Sequence, residues 1–67
     1  MTDEKLISMA NQIAAFFASQ PGDEAARKTA DHLMDFWAPS MRTQFKAAAE
    51  RGAEGLSSPA RAAADLI

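Results

Sequence analysis

The side chains in this sequence best placed to do chemistry are Asp31, His32 and Asp35, which fall within about one turn of a predicted helix. His32 and Asp35 are three residues apart, a spacing that could serve a metal ion or a proton transfer between imidazole and carboxylate. A closed metal site usually needs further histidine or cysteine ligands, and the sequence offers none. We therefore interpret this cluster as a solvated helix face, with the histidine at the edge of the packing surface. No catalytic, cofactor-binding or metal-binding residue is predicted in this chain.

The sequence also lacks the usual supplements to a small core. A chain of 67 residues and 7.2 kDa forms one domain at most, and folding buries only about 60% of the surface of such a chain. Small domains of this kind normally add disulfides, a bound metal or a partner subunit. Because there is no cysteine and only one histidine, a partner protein is the remaining candidate.

Charge and hydropathy exclude two classes of partner. The formal net charge is -2 and the isoelectric point is about 5.1, so the chain lacks the clustered basic residues that nucleic-acid binding requires. No apolar run has the length needed to span a bilayer, and the mixed charge of the polar helix faces disfavours binding to a membrane surface. Acidic residues near the N-terminus stand where an export signal carries positive charge. We therefore expect a cytoplasmic protein.

Glycine and proline divide the chain into four segments. The breaks fall at Pro21-Gly22, at Pro39 and between Gly52 and Pro59. Between these breaks the sequence contains no Val or Tyr and consists largely of strong helix formers. We predict an all-α fold in a single domain, 1–67, built as a small bundle of three main helices plus a short C-terminal helix. The predicted helices cover about 3–19, 23–37, 39–51 and 58–66.

Residues at the ends of these segments follow the rules for helix capping. The expected N-caps are Thr2 or Asp3 for the first helix, Asp23 for the second, and Ser57 or Ser58 for the fourth. Pro39 suits the first turn of the third helix, since the missing N–H would have no intrahelical partner there. Gly52 is the expected left-handed stop at the end of that helix.

Apolar residues cover more of the first helix than one packing partner requires. At about 100° per residue the apolar arc is roughly 180° wide, against roughly 100° for a single packing face. The expected inner line of the first helix is Leu6, Ala10, Ile13 and Phe17, that of the second is Ala26, Ala30, Leu33 and Trp37, and that of the third is Met41, Phe45, Ala48 and Ala49. Two different surfaces should therefore cover the first helix.

Aromatic and methionine side chains are enriched at the centres of protein–protein contacts. We expect Phe17 and Trp37 to be internal. The predicted partner-binding residues are Met9, Phe16, Met34, Phe36, Met41 and Arg42. The arginine could pair with a partner carboxylate or remain solvated. In isolation the chain could also self-associate through this apolar surface.

Several segments of the chain carry a family resemblance in combination. They are Lys5-Leu6, the run Met-Ala-Asn-Gln-Ile-Ala-Ala-Phe-Phe from Met9 to Phe17, Ala30-Asp31-His32-Leu33, Phe36-Trp37, Pro39 with Met41-Arg42, and the Gly-Ala-Glu-Gly-Leu turn from Gly52 to Leu56. Together they resemble the delta subunit of cytoplasmic, NAD-dependent, molybdenum-containing formate dehydrogenases.

The resemblance implies a small non-catalytic subunit of a complex that oxidises formate to carbon dioxide. In that complex, electrons pass through iron–sulfur clusters and FMN to NAD, and the molybdenum cofactor belongs to other chains. The lack of cysteine agrees with this division, because iron–sulfur clusters are held by cysteine thiolates. The implied partner is the large molybdenum-bearing subunit, and the expected function is support of its assembly or stability.

One alternative class of function uses the same apolar surface. The chain could be a stand-alone helical adaptor or regulator that binds an amphipathic helix of an unrelated protein. A free enzyme is disfavoured, because no convergent set of polar residues is present.

Overall fold

Four α-helices and no strands form the secondary structure of the protein in a computed structural model that describes residues 1–67. Helix α1 spans Asp3–Ala18, α2 spans Ala25–Phe36, α3 spans Pro39–Glu50 and α4 spans Ser58–Asp65. The predicted all-α fold is confirmed. Each helix ends one residue earlier than predicted, and α2 begins two residues later.

The start of α2 is the one place where the predicted cap is wrong. Asp23 lies in the turn that follows Gly22, whose φ is +101°. The residue that precedes the helix is Glu24, and its side chain makes no capping hydrogen bond. Asp23 therefore belongs to the turn after α1 and does not cap α2.

The other helix ends follow the expected chemistry. Thr2 Oγ1 accepts a hydrogen bond from the Lys5 amide at 3.2 Å, and Ser57 Oγ accepts one from the Ala60 amide at 3.4 Å. Each serine or threonine thus satisfies one amide that has no partner within its helix. Pro39 occupies the first turn of α3.

Gly52 ends α3 in the left-handed conformation, with φ of +74°. The Gly52 amide donates to the Ala49 carbonyl at 3.0 Å and the Ala53 amide donates to the Ala48 carbonyl at 3.2 Å. This pair of bonds is the Schellman arrangement, in which a residue with positive φ satisfies the last carbonyls of a helix.

The core lies among the four helices. Helices α1 and α4 each contact all three other helices. Its buried members are Leu6, Ala10, Ala14, Leu33, Trp37, Phe45, Ala60 and Ala64. The rings of Trp37 and Phe45 meet edge to face with centroids 5.5 Å apart, a preferred geometry for aromatic pairs. Only 12 of the 67 residues are buried, and the large apolar side chains among them are Leu6, Leu33, Trp37 and Phe45.

The buried line of α1 differs from the expected one. Leu6, Ala10 and Ala14 are fully buried, whereas Ile13 and Phe17 are only half-buried. Small alanine side chains let neighbouring helices approach closely, and the tightest packing therefore lies on the alanine side of the helix. Phe17 is displaced to the edge of the bundle.

The inner lines of α2 and α3 agree more closely with expectation. Of the expected line along α2, Ala30, Leu33 and the C-cap residue Trp37 are buried, whereas Ala26 is only partly buried. Thr29, which was not expected, is fully buried as well. The Thr29 hydroxyl donates to the Ala25 carbonyl at 2.7 Å, which satisfies it in the interior. In α3 the buried residues are Phe45 and Ala48, while Met41 and Ala49 pack at the margin of the core.

Asn11 joins α1 to the loop between α3 and α4. Its Nδ2 donates to the Gly55 carbonyl at 2.6 Å, and its Oδ1 accepts from the Ser57 amide at 2.9 Å. The amino and carbonyl groups of the Asn11 side chain therefore both bind a loop that is more than 40 residues away in sequence. This contact fixes the loop that positions α4.

Further polar contacts join the ends of the chain to α3. Gln44 Nε2 donates to Asp3 Oδ1 at 2.7 Å, and the Arg51 guanidinium pairs with Asp3 Oδ2 at the same distance. Lys46 Nζ donates to the carbonyl oxygens of Ile67, at 2.6 Å, and Ala64, at 3.3 Å. Helix α3 thus holds both the first turn of α1 and the C-terminal residues.

Replacing Asn11 by alanine removes both bonds to the α3–α4 loop. We expect Asn11→Ala to lower the free energy of unfolding by about 1–3 kcal/mol, since the Gly55 and Ser57 backbone groups lose their partner. Urea denaturation followed by circular dichroism measures this. The control is Gln12→Ala at the exposed neighbouring position, with an expected change within about 0.5 kcal/mol. Equal losses for the two variants would contradict the structural role of Asn11.

Replacing Gly52 tests the left-handed end of α3. A Cβ at this position would meet no atom within 4 Å, so the cost of Gly52→Ala is conformational, about 1–2 kcal/mol in unfolding free energy. Gly52→Asn should cost less, because asparagine adopts positive φ more readily. The same urea measurement compares the two variants, and an asparagine variant as unstable as the alanine variant would refute the explanation.

Candidate functional site

Four aromatic rings form a continuous strip across the surface of α1 and α2. They belong to Phe16, Phe17, His32 and Phe36, and we call them the aromatic strip. The ring centroids are 5.2 Å apart for Phe16 and Phe17, 6.2 Å for Phe17 and His32, and 4.6 Å for His32 and Phe36. Phe16 is 60% exposed and Phe36 is 74% exposed, whereas the two central rings are half-buried. The strip is therefore a connected aromatic surface with solvent-facing ends.

Helix geometry explains how the sequence builds the strip. His32 and Phe36 are four residues apart on α2, so their side chains lie one above the other on the same face. Phe16 and Phe17 are adjacent near the end of α1, and their rings meet at 70°. The packing of α1 on α2 brings Phe17 against His32 and joins the two pairs into one surface.

A shallow groove runs beside the strip. It has a volume of about 400 Å³ and is lined by Gln12, Ile13, Phe16, Phe17 and His32. Its walls are mainly aromatic and aliphatic, with polar groups at the ends. Such a surface is suited to receiving an apolar side chain rather than to holding a reacting group.

The predicted partner-binding residues do not share one surface. Phe16 and Phe36 lie in the aromatic strip. Met34 is 51% exposed, but it lines a separate groove of about 230 Å³ with Pro39 and Ile67. Met34 and Phe36 are two residues apart on α2, so successive rotations of about 100° place them on nearly opposite sides of the helix.

Met9 and Met41 are less exposed than Phe16, Met34 and Phe36. Both are partly buried and pack against the core. The flexible thioether of methionine fills irregular space at the margin of a core. Met9 is therefore less exposed than expected, and its role in partner binding stays a prediction.

Arg42 has a structural use that the sequence did not indicate. Its guanidinium donates from Nη1 to the Trp37 carbonyl at 2.6 Å and to the Met34 carbonyl at 3.4 Å. These carbonyls lie at the end of α2, where no intrahelical amide is available to them. Arg42 thus caps α2 from the first turns of α3.

Sequence reasoning missed Phe17 and His32 as members of the candidate site. The signal that could have found them is the spacing of His32 and Phe36, which places the imidazole beside an exposed aromatic ring. The imidazole packs against Phe36 with the ring planes inclined at 36°. The fold does not bring Asp31, His32 and Asp35 together into a group that could hold a metal ion.

None of the four helices combines the length and apolar character needed to cross a lipid bilayer.

Comparison with known proteins gives one match. The family model described as NADH-dependent formate dehydrogenase delta subunit FdsD matches residues 5–64. No curated protein and no solved structure matches the chain. The matched range includes the whole aromatic strip, the Asn11 contact and all of α2 and α3. The chain therefore belongs to the family of delta subunits of NADH-dependent formate dehydrogenase.

Proposed function

We propose that this chain is a non-catalytic accessory subunit that supports assembly or stability of the molybdenum-containing large subunit of an NAD-dependent formate dehydrogenase complex. The observation that carries the proposal is the exposed aromatic strip on a member of a delta-subunit family. A subunit that acts by binding needs an apolar surface that its own fold does not cover. Phe16 and Phe36 provide such a surface.

The chemistry of the available donors supports a division of labour within the complex. Such a complex is expected to carry a molybdenum cofactor, iron–sulfur clusters, FMN and NAD. Iron–sulfur clusters are held by cysteine thiolates, and this chain has no cysteine. It also has no group of three or more histidine, aspartate or glutamate side chains that could hold a metal ion. Its residues do not fit these metal groups, and we assign formate oxidation to the other subunits.

Thermodynamic linkage explains how a non-catalytic subunit can raise the yield of active enzyme. A protein that binds only the folded or cofactor-loaded form of its partner stabilises that form by about 2.7 kcal/mol when its free concentration is 100 times its dissociation constant. The partner's active form then unfolds less often. The accessory chain needs no contact with the reacting atoms to have this effect.

Coexpression with and without this chain tests the proposal. We expect the complex that lacks the chain to contain less molybdenum per large subunit, to have lower formate-oxidising activity per milligram, or to lose activity at a lower temperature. Molybdenum content before heating reports on assembly, and the half-life of activity on heating reports on stability. Equal values of all three quantities would refute the proposed function.

Capture of the tagged chain from its native cell separates this function from that of a general adaptor. We expect formate dehydrogenase subunits in a fixed ratio to the chain. Recovery of unrelated helical proteins without those subunits would instead favour an adaptor.

A further inference from the structure

We infer that the aromatic strip, together with the carboxylates of Asp31 and Asp35 on its rim, is the surface that docks on the large subunit, and that it receives an apolar segment flanked by arginine or lysine. This inference rests on the proposed function, to which it adds the surface used and the chemistry of the partner segment.

The strip holds the exposed aromatic side chains of the chain. A phenylalanine buries about 150–250 Å² when fully covered. With Phe16 60% exposed and Phe36 74% exposed, these two residues leave on the order of 250 Å² in water. A partner that covers both ends of the strip would remove this area from water.

A second copy of the chain is a poor occupant for this surface. A two-fold symmetric contact centred on the strip would place the acidic rims of both copies in one interface. Like charges across an interface repel, so a different protein that carries basic residues is the better occupant.

Two carboxylates without an ion pair flank the strip on α2. Asp31 and Asp35 are exposed and adjoin His32 and Phe36 along α2. Neither aspartate forms an ion pair, since the one salt bridge of the fold joins Arg51 and Asp3. Basic residues of a partner would therefore find free carboxylates at the edge of the apolar contact.

Most of the chain's own basic side chains donate hydrogen bonds within the chain. Of the seven lysine and arginine residues, five donate to other groups of the chain: Lys28, Arg42, Lys46, Arg51 and Arg61. Lys28, one turn before His32, donates to Gln20 Oε1 at 3.5 Å. None of these donors forms an ion pair with Asp31 or Asp35, so both carboxylates remain available to a partner.

The groove beside the strip gives the contact a place for an anchoring side chain. Its volume of about 400 Å³ is enough for a large aliphatic or aromatic group, and its aromatic walls are already in contact with one another. Apolar anchors in preformed pockets dominate the energy of many protein contacts. The predicted partner segment therefore places a large apolar residue in the groove and basic residues opposite the two aspartates.

Binding of variant chains to the complex made without this chain tests the apolar part of the inference. We expect the double variant Phe16→Ala, Phe36→Ala to bind with a dissociation constant at least about 30-fold higher than that of the wild type. The control is Met34→Ala, which removes an apolar side chain that is 51% exposed on the opposite side of α2 and should change the constant less than about threefold. Circular dichroism should show unchanged helix content, because none of the three side chains is buried.

A charge reversal tests the rim. We expect Asp35→Lys to raise the dissociation constant about tenfold at low ionic strength, and the difference from wild type to shrink as salt is added. Glu54→Lys makes the same change in net charge at an exposed position in a different groove and should leave binding within about twofold of wild type.

The outcomes separate the two proposals. If the wild-type chain binds and the double phenylalanine variant binds equally well, the docking surface is wrong and the proposed function stands. If Met34→Ala weakens binding more than the double variant, the contact lies on the other side of α2 and the inference is overturned. If the wild-type chain sediments as a dimer that the double variant abolishes, the occupant is a second copy of the chain. If the wild-type chain does not bind the complex at all, the proposed function itself fails.

Discussion

Alanine determines how closely the four helices approach one another. Seven of the buried residues are alanines: Ala10, Ala14, Ala30, Ala48, Ala60, Ala63 and Ala64. An interior lined by methyl groups lets helix backbones come close, but it leaves little room for rings. Trp37 and Phe45 are the two aromatic rings of the buried core, and the remaining aromatic side chains stay wholly or partly outside. The aromatic strip is therefore a direct consequence of the way the core is packed.

The polar side chains of the fold act mainly on backbone groups rather than on one another. Asn11 donates to a carbonyl of the α3–α4 loop, Arg42 donates to a carbonyl at the end of α2, and Lys46 donates to the carbonyl of Ile67. Arg61 donates in the same way to the carbonyls of Ala49 and Ala53. A chain with short helices has many unsatisfied helix ends relative to its length. Its basic residues meet much of that need.

Much of the fold could be predicted because its signals are local. Proline, glycine and the absence of Val and Tyr determine where helices form, and the conformation required at Gly52 depends only on its own helix end. The burial of Leu33, Trp37 and Phe45 follows from helical periodicity. The contacts of Asn11 and Arg42 were not predicted, because their partners are set by tertiary packing. For the same reason the sequence could indicate that Phe16 and Phe36 are partner-facing, but not that Phe17 and His32 connect them into one surface.

The position of the single tryptophan has a practical consequence. Trp37 is 6% exposed and packs edge-on against Phe45 in the core, while the aromatic strip contains phenylalanine and histidine rings only. Indole emission from the isolated chain should therefore report the integrity of its interior and be largely insensitive to events at the strip. The molecule carries an intrinsic optical probe of its own unfolding that is separate from the surface by which it would meet another protein.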